Sequence, residues 1–342
     1  MKSEAFQKDA LIKAEDLVKW FPVRMELLRV LRRRERLFGK LFVRAVDGVS
    51  FHINRGEIFG LAGESGCGKT TTGRLLLRLV EPTGGRVYYG ERDVFSLDKR
   101  EMRTLRQEMQ IIFQDPYESI NPRMTVHDIL TEPLRVHKLV GSREEELERV
   151  MRTLEDVELT PPEDFILRFP HQLSGGQRQR IAVARALILG PKFIVADEPV
   201  SMLDVSIRAE ILNLLLELKE KFDLTLLYIT HDLALARHMC DRLAIMYLGK
   251  IVEMGSIESV VNESLHPYTD ALMLAVPDPD PAGERSKVVI KGEVPSPISP
   301  PSGCRFHPRC PQASEKCERE EPPLMEMRRE HIVACHYPLR VA

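Results

Sequence analysis

A glycine-rich segment near residue 65 constrains the fold of this chain more than any other feature. It reads GESGCGKT over residues 63–70 and matches the phosphate-binding pattern G-x-x-x-x-G-K-[ST]. The apolar run 58–61 precedes it, and a helix is expected to begin at Lys69, so the segment lies between a strand and a helix, as the pattern requires. We therefore predict an α/β fold with a nucleotide-binding loop at a strand end.

The residue types of this loop suit a polyphosphate. Glycines let successive backbone N–H groups point at phosphate oxygens, and the N-terminus of the following helix adds partial positive charge. Lys69 would reach the β- and γ-phosphates, and the Thr70 hydroxyl would bind Mg²⁺. The residues assigned to nucleotide binding are Gly63, Glu64, Ser65, Gly66, Cys67, Gly68, Lys69, Thr70 and Thr71.

A second strand end carries the acids that hydrolysis needs. The apolar run 193–196 leads into Asp197 and Glu198. Asp197 can hold Mg²⁺ through water, while Glu198 can act as general base toward the attacking water. Two solvated acids are the alternative, but the phosphate loop upstream favours a nucleotide hydrolase.

The segment LSGGQRQR, residues 173–180, indicates which hydrolase this is. It opens a predicted helix and resembles the signature motif of the ABC ATPase family; a glycine-rich helix start without a special role is the alternative. The resemblance implies that ATP is the substrate, and that two subunits close on two ATP molecules and reopen after hydrolysis. It also implies that the signature residues contact the γ-phosphate held by the opposite subunit, which suits a helix N-terminus facing an anion. These residues are Ser174, Gly175, Gly176 and Gln177.

Two positions match further catalytic parts of that family. Gln114, after the run 111–113, resembles the glutamine that senses Mg²⁺ and the γ-phosphate and couples to the membrane partner. His231, after the apolar run 225–230, resembles the histidine that contacts the γ-phosphate. The predicted catalytic residues are therefore Glu198, His231, Gln114 and Lys69, with Thr70 and Gln114 as the Mg²⁺ ligands.

Two more positions complete the predicted nucleotide site. Asp204, in the segment SMLD, resembles the aspartate that crosses to the other subunit. Phe21 is the predicted aromatic residue that stacks on adenine, with its neighbour Trp20 as the competing choice.

Three segments, residues 113–126, 266–272 and 295–311, resemble the ATPases of oligopeptide/dipeptide importers. This resemblance implies two membrane permease subunits, a paralogous ATPase subunit or a second copy of this chain, and an extracytoplasmic solute-binding protein as indirect partner. The implied location is the cytoplasmic face of the cell membrane. Import of nickel or oligosaccharides is the nearest alternative.

A soluble ABC ATPase acting on DNA or ribosomes is the alternative from another class. Such DNA-repair proteins resemble this chain but carry long heptad-rich insertions, which are not visible here, and ribosome-directed types usually hold two cassettes. The chain has 49 Lys and Arg against 51 Asp and Glu, so no nucleic-acid partner is expected. No apolar stretch approaches the ~20 residues that span a bilayer, and the N-terminus lacks the apolar core of a secretory signal.

Four cysteines near the C-terminus, Cys304, Cys310, Cys317 and Cys335, suggest a metal site. Four thiolates that close loops of this size can hold zinc or an iron–sulfur cluster. The common close CxxC pairs of zinc modules are missing, and the family resemblance favours a [4Fe-4S] cluster over zinc. Unligated or disulfide-bonded cysteines are the remaining alternative.

The predicted organisation has two parts. Residues 1–264 form the nucleotide-binding domain, a mostly parallel sheet with an antiparallel β subdomain and a helical subdomain at about 115–189. Residues 265–342 form a small extension that contains the cysteines. A hairpin-like pattern is expected over 51–61, a capping box at Ser142, and a basic, helical insert without assigned function within 24–40.

Overall fold

The computed structural model describes residues 9–23, 41–115, 120–275 and 292–340, and the chain divides into two compact units. The first unit takes the described residues up to Leu11, together with 53–58 and 96–229. The second unit takes those within 12–52, 59–95 and from 230 onward. The basic insert within 24–40 lies outside the described residues.

The strands are β1 (Ala10–Pro22), β2 (Phe42–Asn54), β3 (Ile58–Ala62), β4 (Gly84–Tyr89), β5 (Arg92–Asp93), β6 (Met109–Ile112), β7 (Phe193–Asp197), β8 (Thr225–Thr230), β9 (Arg242–Tyr247), β10 (Lys250–Ser256), β11 (Met325–Arg328) and β12 (His331–Val333). The helices are α1 (Lys69–Leu76), α2 (Lys99–Glu108), α3 (Val126–His137), α4 (Arg143–Asp156), α5 (Glu163–Ile166), α6 (Gly175–Leu187), α7 (Val205–Phe222), α8 (Leu233–Met239), α9 (Ile257–Asn262), α10 (Pro267–Leu274) and α11 (Glu315–Arg319). Within the described residues, no helix combines the length and apolarity that crossing a bilayer requires.

The first unit contains a parallel arrangement of β6, β7 and β8. Ile112 pairs with Ala196, and Asp197 pairs with Ile229. Every residue of β7 and β8 is buried, which is typical of strands covered on both faces. Because parallel strands end at the same edge, β7 delivers Asp197 to the carboxyl edge of this sheet.

The helical segment predicted in the first unit is confirmed by α3, α4, α5 and α6. The predicted capping box at Ser142 is only half formed. The Ser142 Oγ accepts a hydrogen bond from Glu145 N at 3.2 Å, but the Glu145 carboxylate accepts from Gly141 N rather than from Ser142 N.

The second unit combines parallel and antiparallel pairing. Strand β3 runs parallel to β9, while β10 is antiparallel to both β9 and β12, and β11 is antiparallel to β12. A separate four-stranded sheet has the order β2-β1-β4-β5, and β4 is antiparallel to both of its neighbours. The predicted class, an α/β fold with a parallel sheet and an antiparallel β subdomain, is confirmed.

The hairpin expected over residues 51–61 is wrong. Strand β2 belongs to the four-stranded sheet, whereas β3 pairs with β9. Phe51 and Ile53 alternate with half-buried residues, but all five residues of β3 are buried. This change from one-sided to two-sided burial marks the passage from one sheet to the other, since a hairpin would keep one pattern.

Strands β11 and β12 come from the predicted C-terminal extension and continue the sheet beyond β10. The carboxylate of Glu253 on β10 is fully buried and accepts three hydrogen bonds, from Leu265 N (2.7 Å), His266 N (2.9 Å) and His331 Nε2 (2.7 Å). One side chain therefore joins β10, the chain entering α10, and β12. The predicted boundary at 264/265 stays a prediction.

Candidate nucleotide site

The phosphate loop connects β3 to α1, and α1 begins at Lys69 as predicted. Gly63 and Gly68 have φ angles of +147° and +112°. A Cβ on Gly63 would lie 2.2 Å from the Met246 carbonyl oxygen, and one on Gly68 would lie 2.1 Å from the Ala45 carbonyl oxygen. Only glycine fits these positions, because both the backbone conformation and the close carbonyl oxygens exclude a side chain.

The outer part of the loop is open. Gly66 has a φ of +78°, and nothing lies within 4 Å of the place where its Cβ would be. Ser65 and Gly66 are both exposed, whereas Cys67 is buried and its burial raises the pKa of the thiol. The backbone at Ser65 and Gly66 is therefore accessible to an anion, while Cys67 packs inward.

The Lys69 side chain folds back over its own loop. Its Nζ donates to the carbonyl oxygens of Gly63 at 2.8 Å and Glu64 at 3.1 Å, and only 5% of the residue is exposed. An ammonium held at the loop carbonyls fits phosphate oxygens brought into the same loop. Thr70 and Thr71 lie in the first turn of α1, and the Thr70 hydroxyl is a hard oxygen ligand of the kind that Mg²⁺ prefers.

In the first unit, the structure brings Glu198 and Gln114 together. The Gln114 Nε2 donates to the Glu198 Oε2 at 3.1 Å. Glu198 has a φ of +47°, and its N–H donates to Ile229 O at 3.0 Å while its carbonyl accepts from the Ser201 Oγ. This left-handed conformation is unusual for a glutamate and indicates a constrained position. Asp197 precedes it, only 2% exposed, and its carboxylate is also a fitting Mg²⁺ ligand.

The signature segment forms the N-terminus of α6. Ser174 is the N-cap residue: its Oγ accepts from Gln177 N at 3.2 Å, and the Gln177 Oε1 accepts from Ser174 N at 3.0 Å. Ser174 and Gly175 are exposed. A Cβ on Gly176 would lie 2.8 Å from the Ile207 Cγ2, so a glycine is needed for close packing against α7. The exposed, capped end of this helix can bind an anion.

The remaining predicted residues lie at exposed positions. Asp204 is the exposed N-cap residue of α7, although its side chain makes no capping hydrogen bond. Beside it, Met202 is 63% exposed and Val205 is 79% exposed. His231 is exposed and directly follows β8.

The two aromatic candidates for adenine stacking differ in environment. The Trp20 Nε1 donates to the Asp47 Oδ1 at 2.9 Å, and its ring lies 6.3 Å from that of Phe42. Phe21 is 36% exposed, with the Lys19 Nζ 4.8 Å from its ring centroid. Trp20 thus has packing partners, and the ring of Phe21 is the more accessible one.

The predicted metal site on the C-terminal cysteines is wrong. Within the ranges that the structure describes, no group of three or more His, Cys, Asp or Glu side chains is arranged to hold a metal ion. Neither an iron–sulfur cluster nor zinc is supported. The residues concerned are Cys304, Cys310, Cys317 and Cys335.

The four thiols are free and line one small cavity. Burial raises the pKa of Cys304 to about 11 and that of Cys335 to about 12, and it also raises the pKa of Cys310. A metal ion would have to displace the thiol protons, because binding requires the thiolate. Cys335 packs instead with Leu265 and Val333 as a small apolar side chain.

Sequence reasoning missed two residues that contact the phosphate loop. The Tyr268 hydroxyl accepts a hydrogen bond from Glu64 N at 2.9 Å. The Arg309 guanidinium donates to both carboxylate oxygens of Glu64, at 2.7 and 3.0 Å. Both residues lie in segments that resemble the importer ATPases, but nothing in the spacing of the sequence relates them to residue 64.

Comparison with known proteins supports the same assignment. The family model described as "ABC transporter" matches residues 46–201, and the model described as "Oligopeptide/dipeptide transporter, C-terminal region" matches residues 252–317. A Brucella ovis relative, whose name describes a peptide import ATP-binding protein, is 51% identical over 293 residues, covering 86% of this chain and 92% of the relative. Oligopeptide transport ATP-binding protein AppF of Bacillus subtilis is 45% identical over 335 residues, covering 97% of this chain and 98% of AppF.

A solved structure agrees with these matches. The ATP-binding cassette MJ0796, in a dimeric post-hydrolysis state bound to ADP and Pi, superposes with a TM-score of 0.61 at 29% identity. The match covers 72% of this chain and 98% of that cassette. The chain therefore belongs to the ATP-binding proteins of the oligopeptide/dipeptide family of ABC transporters, and it is an ATP hydrolase.

Proposed function

We propose that this chain powers the import of peptides through a membrane ABC transporter by binding and hydrolysing ATP. One observation carries the proposal: a phosphate loop of the required geometry stands in the same chain as a match to the C-terminal region of oligopeptide/dipeptide transporters. The name of the Bacillus subtilis relative, which describes oligopeptide transport, supports peptides as the cargo.

Each predicted site residue has a proposed role toward ATP. Lys69 and the loop backbone bind the phosphates, and Phe21 stacks on the adenine. Glu198 accepts a proton from the attacking water, with Gln114 positioning its carboxylate at 3.1 Å. His231 contacts the γ-phosphate.

Mg²⁺ would be held by the Thr70 hydroxyl and the Gln114 amide, with Asp197 acting through water. When bound, the ion neutralises charge that develops on the phosphate oxygens. These oxygen ligands are hard donors, which match the preference of the ion.

A second ATPase subunit completes the proposed site. The exposed end of α6 would meet the γ-phosphate bound to the opposite subunit, through Ser174, Gly175, Gly176 and Gln177. Asp204, flanked by exposed Met202 and Val205, would cross to that subunit. The second subunit is a paralogous ATPase or a second copy of this chain.

The further partners proposed are two permease subunits and, indirectly, an extracytoplasmic solute-binding protein. The proposed location is accordingly the cytoplasmic face of the cell membrane. The same machinery importing nickel or oligosaccharides is the alternative cargo assignment.

Transport by the reconstituted complex tests the proposal. The chain, its companion ATPase, the permease subunits and the binding protein are placed in proteoliposomes, and uptake of labelled di- and oligopeptides is measured with Mg-ATP. We expect ATP-dependent peptide uptake and peptide-stimulated ATP hydrolysis. Uptake of nickel or an oligosaccharide without peptide uptake would contradict the cargo assignment.

A further inference from the structure

We propose that Arg309, in the C-terminal region, is a positioning residue for the phosphate loop and acts through Glu64. Its guanidinium makes a bidentate ion pair with the Glu64 carboxylate, with N–O distances of 2.7 and 3.0 Å. Arg309 is only 8% exposed, and Glu64 is the second residue of the loop motif. A bidentate pair fixes both the position and the orientation of the carboxylate.

Hydrogen bonds hold the backbone of Glu64 as well as its side chain. Glu64 N donates to the Tyr268 hydroxyl at 2.9 Å, and the Glu64 carbonyl accepts from the Lys69 Nζ at 3.1 Å. The amide, the carbonyl and the carboxylate of one residue are therefore all engaged. A displacement of Glu64 would move the carbonyl oxygen that accepts a hydrogen bond from the Lys69 ammonium.

Arg309 is itself held in place by its surroundings. It ends a 3₁₀ turn, His307–Arg309, and its N–H donates to Phe306 O at 2.9 Å. The Phe306 ring is buried against Tyr247 and Tyr268, with both ring centroids at 5.3 Å. The Arg309 Nη1 also lies 3.4 Å from the Tyr247 hydroxyl. A packed aromatic cluster thus presents the guanidinium to the loop.

A neighbouring arginine supports the loop from another direction. Arg305 donates to the Leu248 carbonyl and pairs with the Asp47 carboxylate. The next residue after Leu248, Gly249, donates its N–H to Cys67 O at 2.8 Å. The segment with the cysteines therefore reaches the loop twice, directly at Glu64 and indirectly at Cys67.

The charge of Glu64 gives the ion pair a second consequence. A carboxylate in a loop that binds polyphosphate repels the ligand unless a cation neutralises it. Loss of Arg309 would both release the loop and leave this negative charge unpaired beside the phosphates. The expected effect is therefore on ATP binding more than on the chemical step.

Steady-state kinetics of the full-length chain, assembled with its companion ATPase and the permease subunits, test this inference, which rests on the proposed role of the loop. The variants are Arg309→Met, Arg309→Lys, Glu64→Gln, and the double variant Glu64→Gln with Arg309→Met. The matched control is Arg319→Met, which removes an arginine from an exposed ion pair with Glu315 in the same region. Km for Mg-ATP, kcat and the melting temperature are measured for each.

We expect Arg309→Met to raise the Km for Mg-ATP at least about fivefold, with kcat changed less than about twofold. Arg309→Lys should recover part of the affinity, because lysine keeps the charge but cannot make a bidentate pair. In the Glu64→Gln background, removal of Arg309 should raise Km less than about twofold, because the two residues act as one unit. The control Arg319→Met should have the Km, kcat and melting temperature of the wild type.

Two results would overturn the inference. One is an unchanged Km in folded Arg309→Met protein; the other is an equal rise in Km with and without the Glu64 carboxylate. If Arg309→Met fails to fold, the lysine variant and Glu64→Gln carry the comparison. A Lys69→Ala variant with unaltered ATP binding would instead reject the loop assignment itself, so the two failures are distinguishable.

Discussion

Glu198 occupies a backbone conformation that glutamate seldom adopts, with a φ of +47° and its N–H bonded to Ile229 O. The surrounding hydrogen bonds, including that from Gln114, hold its carboxylate where the chain leaves β7. Strain of about 1–3 kcal/mol at such a residue persists only when its surroundings compensate for it. Glu158 and Glu330 share the positive φ, so it is the hydrogen bond from Gln114, at the end of β7, that supports the proposed role of Glu198 as general base.

Glu198→Gln should therefore retain ATP binding but lose hydrolysis by roughly 10²- to 10⁴-fold, because the amide keeps the shape and cannot accept the proton. ATP should then hold the closed dimer, which size-exclusion chromatography with Mg-ATP detects. Glu217→Gln, on an exposed position of α7, is the control and should hydrolyse ATP normally. Near-normal turnover by Glu198→Gln would reject the assignment.

Gly68 and Gly66 offer a matched pair for testing backbone constraint. Both have positive φ angles, but only at Gly68 would a Cβ meet a backbone oxygen, at 2.1 Å. We expect Gly66→Ala to cost roughly 1 kcal/mol and Gly68→Ala several times more, because the latter must also displace the chain at Ala45. Urea unfolding without nucleotide measures both. Equal losses of stability in the two variants would show that the φ angle alone, and not the contact with the Ala45 oxygen, determines the cost of the substitution.

At the scale of elements, one helix start carries a pH-sensitive cap. His266 is the N-cap residue of α10, and its Nδ1 accepts from Tyr268 N at 3.0 Å. Burial lowers the pKa of His266 to about 4, although the nearby Glu253 opposes the shift. The ring must stay neutral to cap the helix, because a protonated Nδ1 has no lone pair to offer.

The stability of the protein should therefore fall as the pH drops from about 6.5 to about 4. In this window the imidazole of the unfolded chain binds a proton before the folded one does, and each such proton costs about 1.4 kcal/mol per pH unit. His52, whose pKa burial also lowers to about 4, adds to the same slope.

Urea unfolding across this pH range, for the wild type and for His266→Asn, isolates the contribution of the cap. Asparagine can cap the helix but does not titrate. For His266→Asn, the slope of the free energy of unfolding against pH should be smaller by the equivalent of about one proton. Identical slopes would show that His266 does not titrate in this range.

At the scale of the whole molecule, the sequence predicted the apolar strands β3, β7 and β8, the start of α1, the helical segment and the fold class, because these follow from local patterns of apolar residues and from a motif with fixed geometry. It did not predict the strands β4, β5, β10, β11 and β12. It did not predict that β2 and β3 enter different sheets, since pairing partners far apart in the chain leave no local signal. The cysteine prediction was wrong for a related reason. Spacing describes how many residues close a loop, whereas ligation depends on how the side chains are arranged and on their burial.

The role of Glu253 also could not be predicted from the sequence, because it depends on contacts between residues far apart in the chain. One buried carboxylate accepts from two backbone N–H groups and from His331, across a separation of 78 residues. Glu253→Ala leaves these donors buried without their acceptor, at about 1–3 kcal/mol each, so we expect a loss of about 3 kcal/mol or more. Thermal unfolding measures the loss. Glu315→Ala, at a side chain that is 83% exposed, should stay within about 0.5 kcal/mol of the wild type. Comparable losses in both would contradict this account.

The way Ser174 caps its helix has a consequence for what can approach that surface. The Ser174 Oγ accepts a hydrogen bond from Gln177 N, and the hydroxyl can still donate its own hydrogen to a further acceptor. Beside it, the N–H groups of Gly175 and Gly176 have no carbonyl acceptor within the helix. This end of α6 therefore presents several hydrogen-bond donors to its surroundings. A terminal phosphoryl group, whose oxygens present lone pairs in every direction, matches such a cluster of donors.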